Sequence, residues 1–192
     1  MKIDRHLNLV LKVEREEGPL YVHSTPISEQ LFDKYFFTIS KTYEALASVS
    51  GEYLLRMGPR VAARMLRRVA EADEAWDGPT GIKSGLVAEI RRLSNVLVLS
   101  AAGWETIPLQ EALDRKFFSQ DEFSEIENAI VFFTVCSVSM KRAEAYSILT
   151  TLFTALGDVV TSLNSSEYQH SLLTLKPGEN TGEKVAPSSM PR

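Results

Sequence analysis

Apolar and polar residues alternate near the start of the chain. Four apolar residues share one side of a strand of residues 7–13: Leu7, Leu9, Leu11 and Val13. A period of two is typical of a half-buried strand. A polar turn at residues 16–19 leads to a second apolar run at residues 20–23. The pattern therefore predicts a β-hairpin.

The predicted hairpin is also a candidate interaction surface. Two strands alone are only marginally stable, so we expect them to pack on the rest of the chain or to pair with another chain. An exposed strand edge can recruit a strand from a partner. We therefore nominate Leu20 and Val22 in the second strand as protein-interaction residues.

From residue 28 onward the apolar residues recur at spacings of three and four, which predicts amphipathic helices. Ser28 is the expected N-cap of the first helix, which extends to about residue 48. Pro59 suits the first position of the second helix, which extends to about residue 76. A third helix is predicted from Leu86 through Leu97, where its second half is apolar on every side.

The second half of the chain gives three further predictions. Residues 103–108 are expected to form a loop, followed by a short helix through Leu109 and Leu113. Ser119 to Glu122 is typical of a capping box that opens a long helix. This helix is apolar on every side near residues 132–138, so we expect it to be the central core helix. A last amphipathic helix is predicted over residues 142–163.

Together these elements predict a mainly α fold (α+β class) with an N-terminal β-hairpin. Residues 1–27 form the hairpin region, which packs on a bundle of about five to six helices within residues 28–175. Residues 176–192 lack aromatic residues and are rich in Pro, Gly and Ser, which predicts a disordered tail.

Composition narrows the classes of function. The 192-residue chain carries a net charge of −4, which argues against bulk attraction to nucleic acid or to an anionic membrane. Its longest apolar runs are shorter than the roughly 20 residues that a membrane crossing needs. We therefore expect a cytosolic protein, with its single Cys136 as a buried thiol.

One basic face stands out in this acidic chain. Four arginines lie on one side of the second predicted helix, and we call them the arginine stripe: Arg60, Arg64, Arg67 and Arg68. Glu71 follows Arg67 at the spacing of an ion pair and partly neutralises the stripe. A protein-facing or solvated surface is the preferred interpretation, with Arg60, Arg64 and Arg68 as candidate interaction residues. A DNA-binding helix is the alternative.

The last predicted helix carries a polar face with little charge. Thr150, Thr154 and Asp158 lie on this face and are further candidate interaction residues. A solvated face normally carries more charge. Packing against another subunit, as in a homo-oligomer, and a merely exposed hydroxyl-rich face both fit the pattern.

No motif indicates catalysis. Residues 78–85 superficially match a phosphate-binding loop, but Ile82 separates Gly81 from Lys83 and no strand precedes the segment. The three histidines are scattered, without the spacing of metal ligands. We therefore predict a protein that is not an enzyme, with no catalytic, cofactor-binding or metal-binding residues.

Several segments resemble the tail assembly chaperones of long-tailed, siphovirus-like bacteriophages. The resemblance lies in residues 4–10, 21–27, 32–40, 76–79, 85–86 and 89–93. It implies a chaperone that coats the tape-measure protein in the host cytoplasm and leaves before the tail is finished. It also implies recruitment of tail-tube protein by a frameshift-extended form, and the end after Lys176 is similar to that of a short form. The family has no catalytic residues to transfer.

Two other functions remain open from the sequence. The chain could be a structural tail or head–tail joining component that is retained in the virion. It could also be a small helical DNA-binding regulator that uses the arginine stripe.

Overall fold

The computed structural model describes residues 2–3, 7–13, 20–48, 51–100, 103–139 and 142–155. These residues form five β-strands and six α-helices. The strands are β1 (Lys2–Ile3), β2 (Leu9–Val13), β3 (Leu20–Ser24), β4 (Ser94–Ser100) and β5 (Gly103–Pro108). The helices are α1 (Glu29–Ala47), α2 (Gly51–Ala72), α3 (Ala88–Arg92), α4 (Leu109–Asp114), α5 (Gln120–Val138) and α6 (Arg142–Ala155).

The strands form one antiparallel sheet in sequence order, β1-β2-β3-β4-β5. The predicted hairpin is confirmed: β2 pairs with β3, from Leu9 opposite Ser24 to Val13 opposite Leu20. The alternating side chains of β2 point into the core, where Leu9, Leu11 and Val13 are all buried. Both the strands and their inward face therefore follow the period of two in the sequence.

The prediction of a helix through Leu97 is wrong. Helix α3 ends at Arg92, and the apolar run that follows is strand β4, paired with β3 on one side and β5 on the other. The Ser94 hydroxyl donates to the carbonyl of Ile90 (2.8 Å) and so satisfies a carbonyl at the helix end. Residues 103–108 are strand β5 and not a loop. A short apolar run fits a buried strand as well as a buried helix, and here sheet pairing decides.

Helix α1 begins as predicted. Ser28 is its N-cap, with its side chain accepting a hydrogen bond from the backbone N–H of Leu31 (3.3 Å). Tyr35 and Ile39 are buried, so one face of α1 packs on the core.

Helix α2 begins earlier than predicted. It starts at Gly51 and contains Pro59 in its interior, although a proline there removes one helical hydrogen bond. Among residues 57–72 of α2, the buried ones are Gly58, Pro59, Ala62, Leu66 and Ala70. Packing of α2 against both α1 and α5 compensates for the proline.

Helix α5 is the central helix, as predicted. Its capping box is present: the Ser119 side chain accepts from the Glu122 N–H, and the Ser119 N–H donates to the Glu122 carboxylate (2.7 Å). Every residue from 128 to 137 is buried. The helix contacts α1, α2, α6 and β2, so helices and sheet share one core around it.

The predicted fold class, mainly α with an N-terminal β-hairpin, is confirmed. The sheet draws strands both from residues 1–27 and from the region predicted to be helical. The predicted tail, residues 176–192, lies outside the described residues.

Candidate interaction surfaces

Leu20 and Val22 lie in the interior of the sheet. Strand β3 is paired on both sides, with β2 and β4, and therefore has no free edge. The two side chains are buried in the core. They stabilise the fold, and their nomination as surface residues is corrected: the pairing of β4 with β3 covers the edge.

The arginine stripe is on the surface of α2. Arg60, Arg64 and Arg68 are exposed, on the side of the helix away from Ala62 and Leu66. Arg67 forms the expected ion pair with Glu71 (2.7 Å). This hydrogen bond is the main reason why the pKa of the Arg67 guanidinium lies above its usual value, and the charges of Glu71 and Asp77 act in the same direction.

The polar face of the last helix is only partly within the described residues. Thr150 is half-buried in α6, and Thr154 belongs to the last turn of the same helix. Asp158 lies outside the described residues. The buried face of α6 includes Ala145 and Leu149, which are fully enclosed by the core.

A cavity of about 300 Å³ opens between α2, the segment before α3 and α5. Its apolar walls include Leu66, Val87 and Val131. Five charged side chains line it: Arg64, Arg67, Lys83, Arg91 and Glu127. Four cations and one carboxylate give this concave site a positive charge, in contrast with the negative total of the chain.

Contacts within the cavity wall hold two of its cations in place. Arg91 donates from Nη2 (2.5 Å) and Nε (3.1 Å) to one carboxylate oxygen of Glu127 on α5. The Arg91 guanidinium also lies 5.2 Å from the centroid of the Phe123 ring. The Arg67 guanidinium lies 5.5 Å from the centroid of the Trp76 ring, a distance at which cation–π attraction is significant.

Asn128 ties the two main helices of the cavity together. Its side-chain oxygen accepts a hydrogen bond from the backbone N–H of Ala63 on α2 (2.9 Å). Its side-chain nitrogen donates to the carbonyl of Ser124 on its own helix (2.7 Å). A buried amide with both ends bonded fixes the separation of α2 and α5, and so the width of the cavity.

The loop that superficially matches a phosphate-binding motif supplies one side of this cavity. Its Ser84 hydroxyl donates to the carbonyl of Gly78 (2.5 Å), which closes the loop on itself. A π-helical turn, Lys83–Val87, follows and leads into α3. At Gly85 a side chain would overlap the Tyr35 hydroxyl, so only glycine allows α1 to approach this closely. The turn brings Lys83 to the cavity.

The sequence interpretation missed an exposed aromatic surface on α1. Phe36 is 45% exposed and Phe37 is 77% exposed. The Phe36 ring contacts the rings of Phe32 (5.5 Å between centroids) and Phe37 (5.6 Å), both edge to face. We call these three residues the phenylalanine patch. The sequence contained one indication that Phe37 is exposed: it falls outside the helical spacing of the buried residues Tyr35 and Ile39.

Three further findings concern metal sites, membrane-spanning helices and similarity to known proteins. Among the described residues, no group of three or more His, Cys, Asp or Glu side chains could hold a metal ion. No helix in the described part of the chain combines the length and the apolar character needed to cross a bilayer. Searches with the chain against protein-family models, curated proteins and solved structures give no match.

Proposed function

We propose that this chain is a bacteriophage tail assembly chaperone. It binds the tape-measure protein in the host cytoplasm, helps to recruit tail-tube subunits, and acts without a catalytic step. The proposal joins the sequence resemblance to one structural observation, the exposed phenylalanine patch on α1.

The phenylalanine patch supports a protein partner on physical grounds. Burying a large aromatic side chain away from water is favourable, and such residues are enriched among those that dominate binding energy at interfaces. Phe37 is the most exposed of the large hydrophobic side chains in the described residues. Its edge-to-face contact with Phe36 presents two rings together, which suits the apolar face of a helical client.

Co-expression with the tape-measure protein tests the proposal. We expect the two proteins to co-purify, and Phe37→Ser to weaken binding by about tenfold or more, because truncating a central aromatic at an interface removes much of its binding energy. Glu125→Ser is the matched control, since Glu125 is also an exposed helical residue but belongs to α5, whereas the patch is on α1. Circular dichroism establishes that both variants keep the native helical content.

Two results would contradict the proposal. One is a failure of the unaltered chain to bind the tape-measure protein. The other is an equal effect of Phe37→Ser and Glu125→Ser, which would exclude the phenylalanine patch from the contact.

The composition of finished virions separates a chaperone from a structural component. A chaperone leaves during assembly, so mass spectrometry of purified particles should not detect the chain. A fixed copy number per particle would favour the tail or head–tail joining component instead.

A further inference from the structure

Cations converge on the cavity between α2 and α5 in a way that the chaperone role does not require. Arg64 and Arg67 come from α2, Lys83 from the π-helical turn and Arg91 from α3. Several cations that line one cavity make its electrostatic potential positive, which attracts anions. Cations that have no carboxylate partner within the chain are therefore the ones that can bind an anion from outside.

Two of the four cations already have carboxylate partners. Arg91 is paired with Glu127 inside the cavity wall, and Arg67 is paired with Glu71 at its rim. Arg64 and Lys83 make no ion pair with any other residue in the described part of the chain. The cavity thus holds two cations whose charge its own described carboxylates leave uncompensated.

We propose that this cavity receives an aspartate or glutamate side chain from an acidic segment of the protein partner, with Arg64 and Lys83 binding its carboxylate. The proposal rests on the proposed function as a protein-binding factor and adds the chemistry of the bound segment. Arg91 and Glu127, which line the same cavity, already form a guanidinium–carboxylate pair of this kind.

The walls of the cavity fit a carboxylate on a short aliphatic chain. Val87 lines the cavity and keeps 6% of its surface exposed, so it can contact the methylene groups of a glutamate. A volume of about 300 Å³ accommodates a side chain of this size together with ordered water. The site is mixed in character, as expected where one polar group must be bound in a fixed orientation.

The surroundings of the cavity disfavour a nucleic-acid backbone. A polyphosphate needs an extended track of cations along several of its charges. Here the last turn of α2 and the loop after it carry four exposed carboxylates, Glu71, Asp73, Glu74 and Asp77. Two of them, Glu71 and Asp77, act electrostatically on Arg67, so these carboxylates lie close to the cavity. A row of phosphates that continues beyond the cavity would meet them, whereas a single carboxylate bound inside the cavity would not.

Fluorescence of Trp76 provides a local measurement, because Trp76 lines the cavity. The full chain is used with Trp104→Phe, which removes the other of its two tryptophans. The probe is a blocked helical peptide with two glutamates one turn apart, and the reference peptide carries glutamine at the same positions. We expect the glutamate peptide to change the Trp76 emission saturably, and the glutamine peptide to bind at least about tenfold more weakly, since a hydrogen-bonded charge contributes about that much.

Charge-reversal variants assign the binding to the cavity. Arg64→Glu and Lys83→Glu should each raise the Kd of the glutamate peptide by about tenfold or more. Arg68→Glu is the matched control: it makes the same charge change at an exposed arginine of α2 that does not line the cavity. In about 0.15 M salt its effect should stay below about threefold, because screening weakens charges outside the site.

Several outcomes would overturn the inference. They are no emission change with the glutamate peptide at millimolar concentration, equal binding of both peptides, and an equal effect of Arg68→Glu and Arg64→Glu. Duplex DNA that binds more tightly than the peptide, and loses binding in the Arg64 and Lys83 variants, would assign the site to nucleic acid. Inorganic phosphate that displaces the peptide at equal concentration would assign it to simple anions.

Failure of this inference is distinguishable from failure of the proposed function. Phe37→Ser should leave the Kd of the glutamate peptide unchanged, because Phe37 does not line the cavity. Normal binding of the tape-measure protein by the Arg64→Glu and Lys83→Glu variants would overturn the cavity inference and leave the chaperone proposal intact.

Discussion

Helices α2 and α5 pack against each other, but α5 is largely buried whereas one side of α2 is exposed to water. In α5 every residue from 128 to 137 is buried, including Phe132 and Phe133, which are fully enclosed. In α2 the fully enclosed side chains of Ala62, Leu66 and Ala70 recur once per turn, and the arginine stripe faces outward. The difference teaches that α5 determines stability, whereas α2 carries both a packing face and a surface that can bind a partner.

The largest expected effect is in α5. Phe132→Ala should lower the free energy of unfolding by about 3–5 kcal/mol, because it removes a buried ring and leaves a cavity. Arg68→Ala on α2 should change it by less than about 0.5 kcal/mol, since its side chain is exposed. Urea denaturation measures both. Similar losses for the two variants would contradict the contrast between the helices.

The contact between the two helices is tested at Gly58. A Cβ atom there would lie 2.5 Å from Cε2 of Phe132, a ring that is fully buried and has no space to move. Gly58→Ala should therefore lower the free energy of unfolding by about 1–2 kcal/mol, although alanine is intrinsically the better helix former by about 1 kcal/mol. Thermal and urea unfolding measure the change.

A second substitution checks this explanation. In a Phe132→Leu background the loss caused by Gly58→Ala should shrink, because the smaller side chain relieves the overlap. A net stabilisation by Gly58→Ala in the unaltered chain would show that α2 and α5 are farther apart than the structure places them.

The buried thiol of α5 links stability to pH. Burial raises the pKa of Cys136 from 9.0 to about 12. The unfolded chain therefore loses the thiol proton first, and the stability that is present below about pH 9 is lost progressively as the pH rises toward 12. At about pH 10 the loss should be about 1.4 kcal/mol, one pKa unit in free energy.

Comparison with Cys136→Ala isolates this effect from other groups that titrate at high pH. The difference in unfolding free energy between the unaltered chain and this variant should change between about pH 8 and pH 10, when measured by urea denaturation. A constant difference over this interval would mean that Cys136 does not keep its proton in the folded protein.

A smaller loss than at Phe132, Gly58 or Cys136 is expected at the exposed start of α5. Ser119→Ala removes the hydroxyl that accepts from the Glu122 N–H (3.2 Å) and should cost about 1 kcal/mol. Ser119→Asp should restore most of the stability, because aspartate also accepts this hydrogen bond at an N-cap. Thermal unfolding of the two variants measures the difference, and equal losses would argue against a capping role.

Sequence reasoning was most successful where the signal is local. The hairpin pairing, the N-caps Ser28 and Ser119 and the central position of α5 depend on residues a few positions apart. The predicted ion pair of Arg67 with Glu71 is of the same kind. Spacing of two, three or four residues sets these contacts directly, so they are legible without knowledge of the fold.

The interaction residues were harder to predict. Leu20 and Val22 looked like edge residues because the partner strand β4 lies about 70 positions away and was expected to be helical. Phe36 and Phe37 were not among the predicted interaction residues, and it is the packing of α1 that leaves them in water. Exposure depends on which distant element covers a face, and local spacing carries little information about this.

The sequence by itself determined the class of the fold, the hairpin with its inward face, and the two capped helices around which the core forms. The tertiary structure alone decided that residues 94–100 form a strand, that α2 continues through Pro59, and that Arg64, Lys83 and Arg91 meet at one cavity. The physical reason differs for the three features. An apolar run fits either a strand or a helix, a proline inside a helix costs stability, and like charges in a cluster repel one another. In each case contacts between residues distant in sequence decide the outcome. Pairing with β3 makes residues 94–100 a strand, and packing of α2 on α5 stabilises the helix despite Pro59. The Asn128 bridge between those helices sets the width of the cavity that the cations line.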